Sequence, residues 1–121
     1  MRVRRYGRRM TEDCLFCKIV AGDIPSSKVY EDEHSFAFRD TNPQAPFHVL
    51  VVPRLHYADL NDLAGDAAAA AGLLAGIRGL GRQEGLTDFR TVFNTGRGVG
   101  QSVFHVHAHV LAQRPMTWPP G

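Results

Sequence analysis

Apolar residues along this chain follow three rhythms. Between Asp59 and Gly85 they recur at Leu63, Ala67, Ala70, Leu74 and Ile77, and that 4-3-4-3 spacing predicts one longer helix. Gly65, Gly72, Gly76, Gly79 and Gly81 weaken it and predict close packing against something flat. "FHVLVVPR" (47–54) is a nearly continuous apolar run ended by Pro53, which predicts a central strand covered on both faces. "SVFHVHAHVLAQ" (102–113) alternates strictly and predicts a strand, antiparallel to "FRTVFN" (89–94) across the Gly-rich "NTGRGVGQ". "KVYEDEHSFAFRD" predicts a hairpin of strands 28–31 and 35–39. "EDCLFCKIVAGDIP" (12–25) predicts a short helix with Leu15, Phe16, Ile19 and Val20 as its apolar face, stopped by Gly22 and Pro25. The terminal "RPMTWPPG" fits no regular element. The order predicts an α+β fold with a mostly antiparallel five-stranded sheet. No repeat or low-complexity linker divides it, so residues 11–121 read as a single domain.

Charge changes the picture at one end only. The formal net charge is +2, but Arg2, Arg4, Arg5, Arg8 and Arg9 supply five of the 14 basic residues. Without them 9 basic residues face 12 acidic ones, a balance of −3, so the basic character belongs to the tail. Such an arm can touch nucleic acid or anionic lipid. The plainer reading of residues 1–10 is a disordered extension, or a stretch ahead of a true start at Met10. The body itself gives no basis for a nucleic-acid or membrane partner. No apolar run is long enough to cross a bilayer, and the first residues lack a secretory apolar core, so a cytoplasmic location is expected. Cys14 and Cys17, at C-x-x-C spacing, are too few for a disulfide framework and suggest a metal or redox motif in a reducing compartment.

The histidines carry the chemistry. On a strand His105, His107 and His109 share one face, with Val106, Ala108 and Val110 on the core face. Alternate strand residues lie about 6.6 Å apart, which puts the outer two roughly 13 Å apart at Cα. One ion could take a neighbouring pair but not all three, so the strand mixes roles. His34 reads as an ordinary satisfied polar residue. Gly96, Gly98 and Gly100 let backbone N–H groups approach an anion. No Walker Gly-Lys-Ser/Thr follows. A Gly-rich loop leading directly into Gln101, Ser102 and three imidazoles suggests a phosphate site, because a neutral imidazole can attack phosphorus and later leave.

"HVHAHVL" matches His-φ-His-φ-His-φ-φ, with φ apolar, and resembles the histidine-triad superfamily. "IVAGDIPSSKVYEDEHSFAFRDTNPQAPFHVLVVPRLH", "NTGRGVGQSVFHVHAHVL" and "WPPG" are similar to its nucleotide-binding branch, the purine nucleoside phosphoramidases, from about Cys14 to Gly121. The resemblance implies a homodimer and purine nucleoside 5′-phosphate ligands. It implies His107 as the nucleophile, His109 and His48 as flanking histidines, and Ser102 as an aid to the leaving amine. Asn94, Gly100, Gln101 and Val103 match the phosphate channel, Asp40 the carboxylate for both ribose hydroxyls, and Phe16, Ile19, Ile24 and Phe38 the purine pocket. Trp118 matches a residue reaching toward the partner's site. The cysteines are similar to those of prokaryotic members in which C-x-x-C and two histidines bind structural zinc, with His56 and His105 as the matching ligands. No cofactor is implied for catalysis.

The resemblance therefore implies hydrolysis of a P–N bond through a nucleotidyl-histidine. Two alternatives stay open. One is a dinucleoside polyphosphate hydrolase of the fragile-histidine-triad type, which shares the triad but usually not Gly-Gln-Ser or WPPG. The other is a nucleotide-binding scaffold with little catalysis. A zinc or redox module would need reactive cysteines.

Overall fold

The computed structural model describes Thr11 and residues 13–121, so the basic segment 1–10 lies outside the described residues. The elements are α1 (Leu15–Ala21), β1 (Lys28–Glu31), β2 (Ser35–Arg39), β3 (Phe47–Pro53), α2 (Leu60–Ala64), α3 (Ala67–Gln83), β4 (Arg90–Val92), a 3₁₀ turn (Arg97–Val99) and β5 (Ala108–Ala112). The sheet has five strands in the order β1-β2-β3-β5-β4. All four pairings are antiparallel. No helix among the described residues is long and apolar enough to cross a membrane.

β3 is central and buried throughout, as its unbroken apolar run requires. Its alternate residues feed two cores. Phe47, Val49 and Val51 join Val106, Ala108, Val110 and α3 on one face. Leu50 and Val52 join Phe16, Ile19, Phe36 and Phe38 on the other, beneath α1.

The expected helix over 59–85 is two helices. Asp59 caps α2 by accepting from Asp62 N at 2.9 Å, and Asp66 caps α3 by accepting from Ala69 N at 3.1 Å. Each Asp competes for the amides at a helix start, so the second begins a new helix where periodicity alone reads through. Tyr57 Oη donates to Asp66 Oδ2 at 2.7 Å and fixes the break against the core.

The glycine stripe of α3 does pack closely, on the β1–β2 hairpin. A Cβ added at Gly72 would lie 2.9 Å from the His34 side chain, one at Gly76 would lie 2.6 Å from Ser35 Cβ, and one at Gly79 would meet the Tyr30 ring. Residues 72, 76 and 79 share one helix face. Ser35, fully buried, donates its Oγ to Gly72 O at 3.2 Å.

The histidine strand is shorter than its alternation predicts. Its ladder covers Ala108–Ala112 only, against Phe47–Val51. Beyond Val51 the backbone finds other partners: Val106 N donates to Tyr57 O at 2.7 Å. His105 and His107 therefore precede the strand, while Val106 still points into the α3-side core. The partner strand is likewise limited to Arg90–Val92. α1 starts at Leu15, with Cys14 as its extended N-cap rather than a helical residue.

Gly76→Ala is expected to lower stability by about 1–3 kcal/mol through overpacking, despite alanine's better helix propensity. Gly65→Ala, where a Cβ makes an ordinary 3.4 Å contact, should stay within about 0.5 kcal/mol of the parent. Urea unfolding of both variants checks the contrast.

Candidate active site

Residues 94–109, α1 and the start of the loop after β2 enclose a cleft of about 360 Å³. Leu15, Phe16, Ile19, Phe38 and Leu50 form an apolar wall, and Asp40, Asn94, Ser102, His107 and His109 a polar one. Gly100, Val103, Arg39 and Thr41 complete the lining. Phe16 meets the His107 ring edge to face at 5.1 Å between centroids and Phe38 at 5.4 Å. One aromatic thus touches both the apolar wall and the central histidine.

Backbone groups settle which imidazole nitrogen carries each proton, because a carbonyl only accepts and an amide only donates. His107 Nδ1 donates to His105 O at 2.8 Å, so Nε2 keeps a free lone pair. His105 Nε2 donates to Pro53 O at 2.9 Å, which leaves its Nδ1 lone pair 3.4 Å from both Cys14 Sγ and Cys17 Sγ. Gln44 N donates to His48 Nδ1 at 2.9 Å. His48 therefore carries its proton on Nε2 and donates it to His109 Nδ1, also at 2.9 Å. His109 in turn bears its proton on Nε2. Asp40 Oδ2 stands 3.3 Å from His48 Nε2 and 3.9 Å from His109 Nδ1.

Burial favours the neutral ring at His48, His107 and His109. The effect is largest at His109. Desolvation, then the charges that His107 and His48 would carry, push its pKa down to about 4 against the opposing pull of Asp40. The cluster thus holds one imidazole with a free Nε2 lone pair beside another whose Nε2–H is a donor. That pairing suits nucleophilic attack on a phosphoryl group and hydrogen bonding to its oxygens.

A second centre lies behind the first. One donor atom from each of Cys14, Cys17, His56 and His105 falls within 4.8 Å of the others. Cys17 Sγ lies 3.4 Å from His56 Nδ1. The Cys17 side chain hydrogen-bonds to Cys14 and draws the Cys14 pKa down to about 3, and for the same reason Cys17 is pushed up. A divalent ion would let both thiols ionise. Two sulfurs, two imidazoles and a backbone carbonyl orienting His105 are what a closed tetrahedral zinc site requires. Asp40, His48 and His109 also cluster within 4.8 Å. That trio does not fit a metal, because the Gln44 amide occupies the His48 Nδ1 lone pair and keeps the proton on Nε2.

Most residues singled out in the sequence meet at these two centres. Outside the Cys/His centre, four do not line the cleft: Gln101, Ile24, Trp118 and His48. Gln101 is buried beneath the loop, where Oε1 accepts from Gly96 N at 2.8 Å and Nε2 donates to Ala58 O at 2.8 Å and Val103 O at 3.1 Å. It braces the Gly-rich segment with both polar atoms engaged. Ile24 packs at the margin of the α1-side core. Trp118 is 81% exposed, on a tail held by Arg90 Nη1 donating to Thr117 O at 3.0 Å. His48 stands behind His109. Leu15, Leu50, Arg39 and Thr41 were missed. Leu50 was findable, since it shares a strand face with His48, but its apolar neighbours made it read as core. Asp40 meets His48 across the β2–β3 hairpin, but its approach to His109 is a long-range closure that spacing does not reveal.

A family model described as HIT domain matches residues 21–116. A crystal structure of a HIT family hydrolase from Legionella pneumophila Philadelphia 1 is 48% identical and superposes with a TM-score of 0.83, covering 89% of this chain and 99% of that one. The 14 kDa zinc-binding protein of Zea mays is 44% identical over 88% of this chain and 87% of its own length. Purine nucleoside phosphoramidase of Escherichia coli (strain K12) is 38% identical over 88% of this chain and 92% of its own length.

The depressed His109 pKa gives stability a pH dependence of defined sign. Above about pH 6.5 the ring is neutral folded and unfolded, and its contribution is complete. Between 6.5 and about 4 the unfolded chain takes up the proton first, so stability falls with falling pH. Urea unfolding at a series of pH values should show a shallower acid loss for His109→Gln than for the parent. Parallel curves would contradict the assignment.

Proposed function

The chain belongs to the HIT domain family, and from that membership we propose that it hydrolyses the P–N bond of purine nucleoside 5′-phosphoramidates, or of related nucleoside 5′-phosphate adducts, through a covalent nucleotidyl-histidine. The observation that carries the reading is His107. It lines the cleft, keeps Nε2 unprotonated through the bond from Nδ1 to His105 O, and has an Nε2–H donor beside it on His109.

His107 Nε2 attacks the α-phosphorus. The new N–P bond forms as the P–N bond to the leaving amine breaks, and the departing nitrogen takes up a proton from solvent, relayed by the Ser102 hydroxyl, which is re-protonated in turn. The ring then carries positive charge, which the His105 carbonyl on Nδ1–H stabilises. Water next attacks phosphorus, the His107–P bond breaks, and the nucleoside monophosphate leaves with the water's oxygen while its proton is released. His109 Nε2–H and the backbone near Gly100 and Val103, with Asn94, hold phosphate oxygens. Asp40 accepts from the ribose hydroxyls. Phe16, Ile19 and Phe38 enclose the purine, with Ile24 behind them. Gln101 acts by bracing the loop. Trp118 reaches the partner's site in a homodimer, which accounts for its exposure in a single chain. Cys14, Cys17, His56 and His105 hold a structural zinc that ties α1 to the histidine segment.

Steady-state hydrolysis of adenosine phosphoramidate beside diadenosine polyphosphates tests the substrate class, and a strong preference for the dinucleotides overturns it. His107→Ala should lose on the order of 10⁶-fold in turnover while calorimetry still shows adenosine monophosphate binding. Near-parental turnover would remove His107 as nucleophile. For the metal, the full chain purified without added zinc should carry about one zinc per chain. The Cys14→Ser, Cys17→Ser double variant should lose the zinc and melt at a lower temperature. Elemental analysis and a thermal melt read both.

A further inference from the structure

The hydrogen bond between His48 and His109 has no intrinsic direction. Either ring can donate, and the two arrangements place the outward His109 proton differently. With Nε2–H on His48, His109 presents an Nε2–H donor. With the bond reversed, His109 Nδ1 donates and its Nε2 presents a lone pair, which would repel a phosphoryl oxygen. The amide of Gln44 decides between them by donating to His48 Nδ1 at 2.9 Å.

The question passes to what holds Gln44. It sits in the loop between β2 and β3, an exposed position with Pro43 before it. Within the loop Asn42 N donates to Asp40 Oδ1 at 2.8 Å and Gln44 Nε2 donates to Asn42 O at 3.0 Å. Apart from His48 itself, the one side chain from outside the loop that hydrogen-bonds to Gln44, among the described residues, is Arg114. Its Nε donates to Gln44 O at 2.9 Å, and its Nη1 donates to Pro115 O at 2.8 Å. Gln113, just before it, has φ 73°, the one positive φ at a non-glycine among the described residues. A left-handed backbone at glutamine is unfavourable, and here it turns the chain after β5 so that Arg114 comes back over the loop. A solvent-exposed hydrogen bond adds little to global stability, so stability is a weak reason for this geometry.

We propose that Arg114 is a positioning residue for the histidine pair: by clamping the Gln44 carbonyl it keeps the Gln44 amide on His48 and so fixes His109 as an Nε2–H donor toward the cleft. The reach is from the end of β5 to the loop before β3, two segments that flank the paired strands carrying His109 and His48. The guanidinium uses two nitrogens at once, one on the loop and one on its own tail, which orients it more firmly than a single ammonium would. The kinetic consequence rests on the proposed function, and the tautomer itself does not.

Full-length chain labelled with ¹⁵N provides the test. In the parent, long-range ¹H–¹⁵N spectra should show His48 and His109 each as a single Nε2–H tautomer, with couplings across the Gln44 N–His48 Nδ1 and His48 Nε2–His109 Nδ1 hydrogen bonds. Absence of either coupling in the parent overturns the proposal without any variant. Arg114→Met keeps the apolar stem and removes the donors. Its His48 and His109 nitrogen shifts should move toward averaged values while the far-ultraviolet spectrum is unchanged. With adenosine phosphoramidate as substrate, kcat should fall roughly 10- to 100-fold, the size of a lost hydrogen bond to a charged phosphoryl oxygen, with KM little altered. Parental tautomers in Arg114→Met overturn the positioning role. Averaged tautomers with parental kcat leave that role standing and instead refute His109 as the phosphoryl donor.

Discussion

Pro53 has no backbone N–H, and β3 stops there. Continuing the β3–β5 register beyond Val51↔Ala108 would set Pro53 opposite Val106, where a ladder needs a donor that proline lacks. The segment leading into β5 is held instead by Val106 N on Tyr57 O and by His105 Nε2 on the Pro53 carbonyl. It bends at residues 103–105, yet Val106, Ala108 and Val110 still enter the α3-side core. It is nevertheless freed from the sheet at the two histidines that need other neighbours. His105 turns to the cysteines and His107 to the cleft. A strand paired through residue 105 would have spent the Pro53 carbonyl on the ladder.

Burial then constrains the chemistry. Desolvation holds His48, His107 and His109 neutral, so the cluster works through the positions of protons on neutral rings. A neutral imidazole has one donor and one acceptor nitrogen, and a cluster of them functions only if each proton is placed. Fixed backbone groups place three of the four directly: the carbonyls of Pro53 and His105 and the amide of Gln44. The fourth, His109, inherits its tautomer from His48. Peptide groups do this well because they do not ionise and each offers a fixed donor or acceptor.

The sheet was legible because alternation and continuous burial are strong one-dimensional signals. β3 and the β1–β2 hairpin sit where the residues put them. The glycine stripe of α3 was also readable, since small residues at 72, 76 and 79 mark a face pressed on a partner. Periodicity failed where a local competitor intervened. Asp66 restarts a helix whose apolar spacing runs through the break, and Pro53 ends the pairing of a strand whose alternation continues. At the site, residue identity pointed to His107 and the C-x-x-C pair. It could not show that Gln101 turns inward to brace its loop, or that Asp40 leans on the histidine pair. Both combine a local turn with one distant contact, Ala58 for Gln101 and His109 for Asp40, that spacing does not reveal.

His105 shows why the two centres are best understood as one device. Its side chain faces Cys14 and Cys17, and its own carbonyl accepts from His107 Nδ1. Any shift of that residue changes both the sulfur–nitrogen cluster and the hydrogen bond that frees His107 Nε2. The N-cap role of Cys14 draws α1 into the same arrangement, because Cys17 N donates to Cys14 Sγ at 3.3 Å. α1 also carries Phe16, whose ring stands against His105 at 6.0 Å, His107 at 5.1 Å and Phe38 at 5.4 Å. The apolar wall of the cleft and the free lone pair on its polar wall are therefore set by one helix end and one residue. A metal in the Cys₂His₂ cluster would act on chemistry it never touches, by holding the His105 backbone where its carbonyl meets His107.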